Sequence, residues 1–498
     1  MADVLLTHSY HLPYDTKQSQ KMQPYLPLGT LYAATALRDQ GISSIVFDAM
    51  LEAPEPGFIM ALQRSGAKIV VVYEDDFNFL SKMCLTRMRE VAWGMARAAK
   101  DAGAITVVHG SDATDSPELF LDNGFDFVLC GEAENLLTDL CRAVLDNTEI
   151  PLWDGLVRKG ASGRLLRRSQ ELARNPYWSQ LAFPARDLVN LDPYRMAWMG
   201  THGFFSTNMV ASRGCPFRCN WCAKPISSNH FQLRAPSSVA EEMAMLKQAG
   251  AEHIWFGDDI FGLNHHWVER FASELAQRNT ALPYKIQSRA DLMREDTVRH
   301  LKASGCTEVW MGVESGSQTI LDAMDKGITL DQVEVARERL RLAGIRACFF
   351  LQFGYPGETW TELQQTIGLV RRLRPDDIGI SVSYPLPGTV FYERVQSQLG
   401  TKRNWTDSSD LCVMFKAAYT TDFYRAVREA LHAEVDSWTA SSCDGGRPNT
   451  DALWQIVEDM EPSNRLSDAF RFSPDVEVAS SAMFVSIDSL ISSSGSQQ

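Results

Sequence analysis

Arg213-Gly214-Cys215-Pro216-Phe217-Arg218-Cys219-Asn220-Trp221-Cys222 places three thiols in a C-x3-C-x2-C run, directly after an apolar stretch, Met209-Val210-Ala211, that reads as the end of a strand. Thiolates this close together can grip one soft metal centre, and iron–sulfur clusters are held by cysteine thiolates. Three ligands leave one iron of a four-iron cube without a protein partner, which is the arrangement of a reactive site rather than a structural one. A zinc site needs four ligands, with His230 as the available fourth. Its distance in sequence from Cys222 exceeds the usual spacing, and no second cysteine pair follows. A disulfide reading needs an oxidising compartment.

The rest of the composition bounds the answer. The chain has 498 residues, enough for two or three domains, and a hydrophobic content of 45%, ample for buried cores. Its 48 Lys and Arg against 62 Asp and Glu give a net charge of −14, which argues against a nucleic-acid surface. The start, Met1-Ala2-Asp3-Val4-Leu5-Leu6, lacks the basic region and long apolar core of a signal peptide, and no apolar run is long enough to span a bilayer. A cytoplasmic protein is expected. Seven of the 10 cysteines (Cys84, Cys130, Cys141, Cys306, Cys348, Cys412 and Cys443) are scattered and read as buried small hydrophobes.

Working outward, both flanks of the cysteine run alternate strand and helix patterns. Before it, strands are expected at 4–6, 44–47, 69–73, 105–108 and 125–129, with helical patterns such as 31–38 and 85–90 between them. Such alternation implies a parallel, doubly wound sheet whose ligand sits at the carboxyl ends of the strands. Those ends carry Glu74-Asp75-Asp76-Phe77-Asn78, His109-Gly110-Ser111-Asp112 and Cys130-Gly131-Glu132, whose small residues let backbone amides approach a ligand. No G-x-G-x-x-G follows the first strand, so a dinucleotide fingerprint is missing. After the run, strands are expected at 253–256, 284–287, 308–313, 348–352 and 378–383. That pattern is consistent with a partial (β/α) barrel, and barrels build their sites just after their strands. The stretch 151–204, punctuated by Pro and aromatic residues, reads as a connector. Residues 406–472 read as a helical region capping the barrel or shaping a substrate site, and the Ser-rich 473–498 as a disordered tail.

The C-x3-C-x2-C run, with Trp221 just before its third cysteine, resembles the signature of the radical S-adenosylmethionine (SAM) superfamily. The resemblance implies a [4Fe-4S] cluster on Cys215, Cys219 and Cys222, with SAM chelating the open iron and cleaved by one electron to a 5′-deoxyadenosyl radical. Strand ends that resemble the family's SAM-binding positions carry Asp258 and Asp259, Ser288 and Arg289, Glu314 and Gln352, with Trp221 beside the cluster. Gly354-Tyr355-Pro356-Gly357-Glu358 resembles the G-x-P-G-E turn, and Pro385-Leu386-Pro387-Gly388-Thr389 the P-x-P-G-T turn that often ends this core. Read alone, Arg289 or Asp259 is equally an ordinary surface or ion-pairing residue, and Gly357 and Gly388 are turn formers.

The amino-terminal half is similar to the cobalamin-binding domain found ahead of many radical SAM domains, through Leu26-Pro27-Leu28-Gly29-Thr30-Leu31-Tyr32, His109-Gly110-Ser111-Asp112-Ala113-Thr114 and Asp126-Phe127-Val128-Leu129-Cys130-Gly131-Glu132. The cobalamin contacts this implies are Leu28, Gly29, Asp75, Asp76, Phe77, Gly110, Ser111, Asp112, Gly131 and Glu132. The D-x-H-x-x-G signature is absent, so no histidine is expected beneath the cobalt; the lower face falls to Asp75, Asp76, Phe77 or Asn78. A doubly wound fold with another ligand, or none, is the plainer alternative.

The expected fold is therefore α/β. A Rossmann-like cobalamin domain (1–150) precedes a partial (β/α)6 TIM-type barrel (205–405) and a small helical carboxyl-terminal region. The function implied is a cobalamin-dependent radical SAM C-methyltransferase acting on an unactivated carbon of a small molecule of natural-product or lipid type, fed by an electron donor such as flavodoxin or ferredoxin. A non-methylating oxidative cyclase or rearrangement enzyme of the same family is the alternative, and a non-enzymatic cobalamin or metal sensor a third. A methylthiotransferase would need a second cysteine set, which Cys84, Cys130 and Cys141 do not resemble.

Overall fold

A computed structural model of the chain describes residues 2–77, 83, 85–222, 230–439 and 449–466. Asn78, Cys84, Cys443 and the expected tail lie outside the described residues.

The first sheet holds β1 (Val4–Thr7), β2 (Ser44–Phe47), β3 (Ile69–Tyr73), β4 (Ile105–His109), β5 (Phe127–Leu129), β6 (Leu156–Lys159) and β7 (Leu165–Leu166), in the spatial order β2-β1-β3-β4-β5-β6-β7. The first five are parallel, with Val4 opposite both Ser44 and Ile69. β3 is buried along its whole length because helices cover both faces of the sheet, which is why Ile-Val-Val-Val-Tyr reads as one apolar run. Its alternate residues divide between two cores. Val70 and Val72 meet Ala92, Met95, Ala96 and Ala99 of the helix Leu85–Asp101, while Ile69, Val71 and Tyr73 join Ala33, Ala34 and Leu37 of the helix Leu28–Asp39. Within 151–204 the chain does more than connect. β6 extends this sheet antiparallel to β5, β7 pairs antiparallel to β6, and the helix Asp192–His202 follows.

The second sheet holds β8 (Ser206–Met209), β11 (His253–Phe256), β12 (Tyr284–Ser288), β13 (Cys306–Glu314), β14 (Arg346–Phe353) and β15 (Asp377–Val382), all parallel and neighbouring in chain order. This is the open (β/α)6 half-barrel. Val309, Met311 and Val313 of β13 are fully buried on its outer side, whereas Trp310 and Gly312 alternate on the inner side and keep some exposure. Between β8 and β11 a two-stranded ribbon, β9 (Ser212–Arg213) against β10 (Gln232–Leu233), pins both ends of the cysteine loop, with Arg213 opposite Gln232.

The helix Thr421–Thr439 buries Phe423, Val427, Ala430 and Leu431 in the barrel core. The segment before it ties the domains together. Arg89 Nη1 donates to Asn404 Oδ1 at 2.7 Å, and Ser408 Oγ to Asp15 Oδ1 at 2.6 Å.

Candidate active site

The cysteine loop leaves β9 through Gly214, whose φ of +80° is a left-handed turn that a side chain would strain. Asn220 then fixes the loop over the ends of β13 and β14. Its backbone N–H donates to Met324 O (3.1 Å), its Nδ2 to Ala323 O (2.8 Å) and Asp325 Oδ2 (2.9 Å), and its Oδ1 accepts from Tyr355 Oη (2.8 Å). Asn220 is buried, so these bonds are shielded from water and hold the loop firmly.

Two cations face this loop. Arg289, just past β12, lies with its guanidinium 3.8 Å over the Phe217 ring and its Nη1 3.9 Å from Cys219 Sγ, held in place by Asp291 Oδ1 (2.9 Å) and Gly327 O (3.2 Å). Lys326 pairs with Glu314 Oε1 at 2.7 Å and stands 5.7 Å from the Trp221 ring. Burial works to discharge Lys326, but the Glu314 carboxylate and Cys219 outweigh it and hold its pKa above the ordinary lysine value. Cationic neighbours favour the thiolate, the form that binds a metal. Among the described residues no three His, Cys, Asp or Glu side chains gather as they would on a single ion. A four-iron cube holds each thiolate on a separate iron, so its cysteines stand farther apart than the ligands of one zinc. Glu314 has a φ of +65° at a register shift between β13 and β14. A non-glycine residue in that region at a strand end is a hallmark of a site whose geometry is imposed by its surroundings.

The remaining expected SAM contacts divide. Gln352 Nε2 donates to Ser383 Oγ (2.9 Å) at the top of β14, and Ser288 Oγ to Phe261 O (2.8 Å). Asp259 is exposed, whereas Asp258 is buried. The Asp258 carboxylate accepts from Ala211 N (3.0 Å) and Ser212 Oγ (2.5 Å), bracing the chain that enters the cysteine loop. Burial pushes its pKa up to about 7 despite those donors.

The loop after β3 reaches this mouth from the other domain. A Cβ on Gly257, at the end of β11, would sit 3.9 Å from Phe77 Cβ. Asp76 and Glu134 hold the Arg213 guanidinium, which lies 5.2 Å over Phe77 and 4.9 Å over Trp178. Asp75 accepts from Gly29 N (3.1 Å) and Phe77 N (3.3 Å), and burial together with Asp76 pushes it to about 7. Gly29 is needed there, since a Cβ would lie 2.8 Å from Asp76 Oδ1, and Leu28 beside it is fully buried.

At the ends of β4 and β5, Gly110 and Gly131 pack so closely that a Cβ would meet Glu74 Cβ at 2.9 Å and Ala173 O at 2.4 Å. Ser111 Oγ, Glu132 Oε1 and His109 Nδ1 are buried with no hydrogen-bond partner among the described residues. Asp112 is gripped by both Nε and Nη2 of Arg89 at 2.6 Å and lines a cleft at these strand ends. This small cleft, of about 20 Å³, lies between Ser9, Glu74, Met88, Val108, Asp112 and Phe120.

Residues 209–370 match the family model described as the radical SAM superfamily. That stretch is a radical SAM domain. It is 26% identical to an uncharacterized methyltransferase of Pyrococcus horikoshii over 402 residues, covering 79% of this chain and 84% of that one. Its fold is similar to that of the radical SAM methyltransferase TsrM of Kitasatospora setae, solved with cobalamin and a [4Fe-4S] cluster (TM-score 0.66, 19% identity, 80% of this chain and 75% of that one). The cobalamin-dependent radical SAM enzyme OxsB, solved with aqua-cobalamin, is similar in the same way (TM-score 0.68, 16% identity, 93% and 71%). The sequence motifs pass over Lys326, which no motif marks, and Arg213, which appears only as a flank of the cysteines. A basic residue between Asp325 and Gly327, both at positive φ, is a signal visible only once the turn is seen.

Proposed function

We propose that the chain is a cobalamin-dependent radical SAM enzyme that methylates an unactivated carbon of a small molecule. The observation that carries this reading is the convergence of two domains on one mouth: the cysteine loop, Arg289, Lys326 and Glu314 at the barrel strand ends face Phe77 and its neighbours at the strand ends of the first sheet. The division of labour that follows is a cobalamin domain over 1–150, a linking stretch over 151–204, the radical SAM barrel over 205–405 and a helical clamp over 406–472.

Cys215, Cys219 and Cys222 would hold the [4Fe-4S] cluster, and the cations beside Cys219 suit its thiolates. Glu314, Ser288, Arg289, Gln352, Trp221 and the strand-end pair Asp258 and Asp259 would surround SAM; Asp258 acts through the backbone it braces. On the opposite side, Gly29, Gly110 and Gly131 offer close backbone approach with Leu28 beneath. The buried orphan atoms of Ser111 and Glu132 fit a ligand rich in amide groups, which cobalamin is. Asp75, Asp76 and Phe77 would help hold it from the loop after β3, and Asp112 would act through Arg89. When bound, these groups supply a 5′-deoxyadenosyl radical for hydrogen abstraction and a cobalt-borne methyl for transfer. The protein supplies alignment and exclusion of water. Among the described residues no helix is long and apolar enough to cross a membrane. A cytoplasmic location and a flavodoxin- or ferredoxin-type donor complete the reading.

Anaerobic purification with iron, sulfide and cobalamin, followed by absorption and EPR spectra, tests it. The triple Cys215→Ala, Cys219→Ala, Cys222→Ala variant should lose the cluster signal and keep cobalamin. S-adenosylhomocysteine formed together with a methylated product supports methyl transfer. Deoxyadenosine formed without it points to the cyclising or rearranging alternative.

A further inference from the structure

Arg289 spends its contacts on the cysteine loop and on the groups that brace it there. It is buried, and its charge is permanent, because a guanidinium keeps its proton in a protein. Asp291 holds one edge of the fork, with Oδ1 accepting from Nε at 2.9 Å and Oδ2 from Nη2 at 3.3 Å. Gly327 O accepts from Nη2 at 3.2 Å, and the Phe217 ring lies 3.8 Å from the guanidinium carbon. The remaining nitrogen, Nη1, stands 3.9 Å from Cys219 Sγ.

The brace closes into a ring. The turn Asp325-Lys326-Gly327 has positive φ at Asp325 (+50°) and Gly327 (+65°), so three successive residues point at three different groups. Asp325 Oδ2 accepts from Nδ2 of Asn220 in the cysteine loop at 2.9 Å, and Gly327 O holds Arg289. Lys326, between them, brings a second cation within electrostatic reach of Cys219. Cys219 directly precedes Asn220, so the sulfur and the cation aimed at it are fixed by one circuit of hydrogen bonds. Such a circuit holds a charge at a set distance instead of letting it swing toward water.

The reduction potential of an iron–sulfur cluster follows the charge around it and the hydrogen bonds to its sulfurs. Reduction adds negative charge, which the ligating sulfurs share. A cation or an N–H aimed at one of them therefore stabilises the reduced form more than the oxidised one.

We propose that Arg289 is a positioning residue for electron entry: acting on Cys219 Sγ, with Lys326 beside it, it raises the reduction potential of the cluster held by Cys215, Cys219 and Cys222. This rests on the reading of those thiols as cluster ligands. It gives the one-electron reduction that precedes SAM cleavage an electrostatic control at a named sulfur.

EPR-monitored potentiometry of the full, reconstituted chain tests it, without SAM and with titanium(III) citrate as reductant. Arg289→Met should shift the one-electron equilibrium about tenfold toward the oxidised cluster, a fall of about 59 mV in the midpoint. Arg289→Lys, which keeps the charge, should recover most of that fall, and Lys326→Gln should move the midpoint in the same direction as Arg289→Met. Iron and sulfide content separates a moved potential from a lost cluster. Should Arg289→Met assemble none, Arg289→Gln takes its place in the comparison with Arg289→Lys. An equilibrium within about threefold of the parent's in a cluster-loaded Met or Gln variant, or an equal fall in Arg289→Lys, would overturn the proposal. So would weakened SAM binding with an unmoved midpoint, which makes Arg289 a SAM contact only. A parent chain that assembles no four-iron cluster sinks the reading of the cysteine loop and this inference with it. A parent that assembles one, with variants that keep its midpoint, sinks this inference alone.

Discussion

Arg213→Met should loosen the contact between the two domains, and the structure sets the scale. Arg213 is buried between the carboxylates of Glu134 and Asp76, whose side chains are 0% and 4% exposed, and is sandwiched by Phe77 and Trp178. Methionine fills most of the volume but leaves two carboxylates without a counter-charge. Breaking a buried pair from one side costs about 3–5 kcal/mol, because the abandoned charge stays out of water. The Glu134 pKa reports the same balance: burial pushes it up, and Arg213 outweighs burial to hold it below the ordinary glutamate value. With a folded pKa depressed, Glu134 contributes stability that is present above the unfolded value and lost as pH falls through the folded one. In Arg213→Met that contribution reverses, and Glu134 should resist ionisation at neutral pH.

Native-state hydrogen exchange over the helix Glu134–Leu145 is the assay, since a chain of several domains need not unfold in one step. A loss of about 3 kcal/mol corresponds to roughly 10²-fold faster exchange. Adding Glu134→Gln to Arg213→Met should recover part of it, with a coupling of at least about 1 kcal/mol between neighbours in one network. Exchange within about threefold of the parent, or a double variant no slower than Arg213→Met, would refute the claim that this ion pair clamps the domains.

Other outcomes follow from the same geometry. Glu314→Gln removes the counter-charge of buried Lys326; SAM cleavage should drop at least about tenfold and Lys326 should titrate lower, measurable by NMR of the labelled lysine. Asp258, at about 7, has a folded pKa above its unfolded value, so the stability it contributes is present at low pH and lost as pH rises toward and through 7. Asp258→Asn should flatten that slope, worth up to about 4 kcal/mol between pH 4 and 8, in denaturation followed across pH. His253 and His432 are both pushed down to about 3 by burial, so each stays neutral when folded, and stability should fall as pH drops below about 6.5. His253→Asn keeps a partner for Ser206, 2.8 Å from the ring, and should reduce the acid sensitivity by up to about 1.4 kcal/mol per pH unit; an unchanged slope would show that His253 is not involved.

Much of the architecture was legible in one dimension because strand and helix periods leave different marks. The runs at 44–47, 69–73 and 253–256 match β2, β3 and β11 end to end, since each must bury side chains on fixed faces. β6 and β7 escaped notice. They are short, Leu156–Lys159 and Leu165–Leu166, they close the edge of the sheet as a hairpin, and polar residues dilute their pattern. Gly29, Gly110 and Gly131 were singled out as small residues near a ligand, and the structure adds that each is also packed against backbone or side chain too closely for a Cβ. Asp112 lay at the right place in sequence, yet its side chain is committed to Arg89, a partner that only folding brings near.

The sequence alone determined the chemistry on offer: three thiols at a spacing that leaves a coordination position vacant, strand ends rich in polar residues, and two alternating β/α halves. Spacing within a loop is local, so covalent connectivity is enough to specify it. The tertiary structure decided what faces those thiols. Lys326 and Glu314 become one buried pair, Arg213 becomes the clamp between domains, and Arg289 comes to rest beside Cys219. These residues lie tens to hundreds of positions from their partners. What brings them together is the burial of faces that alternate along each strand, which a sequence states but does not assemble.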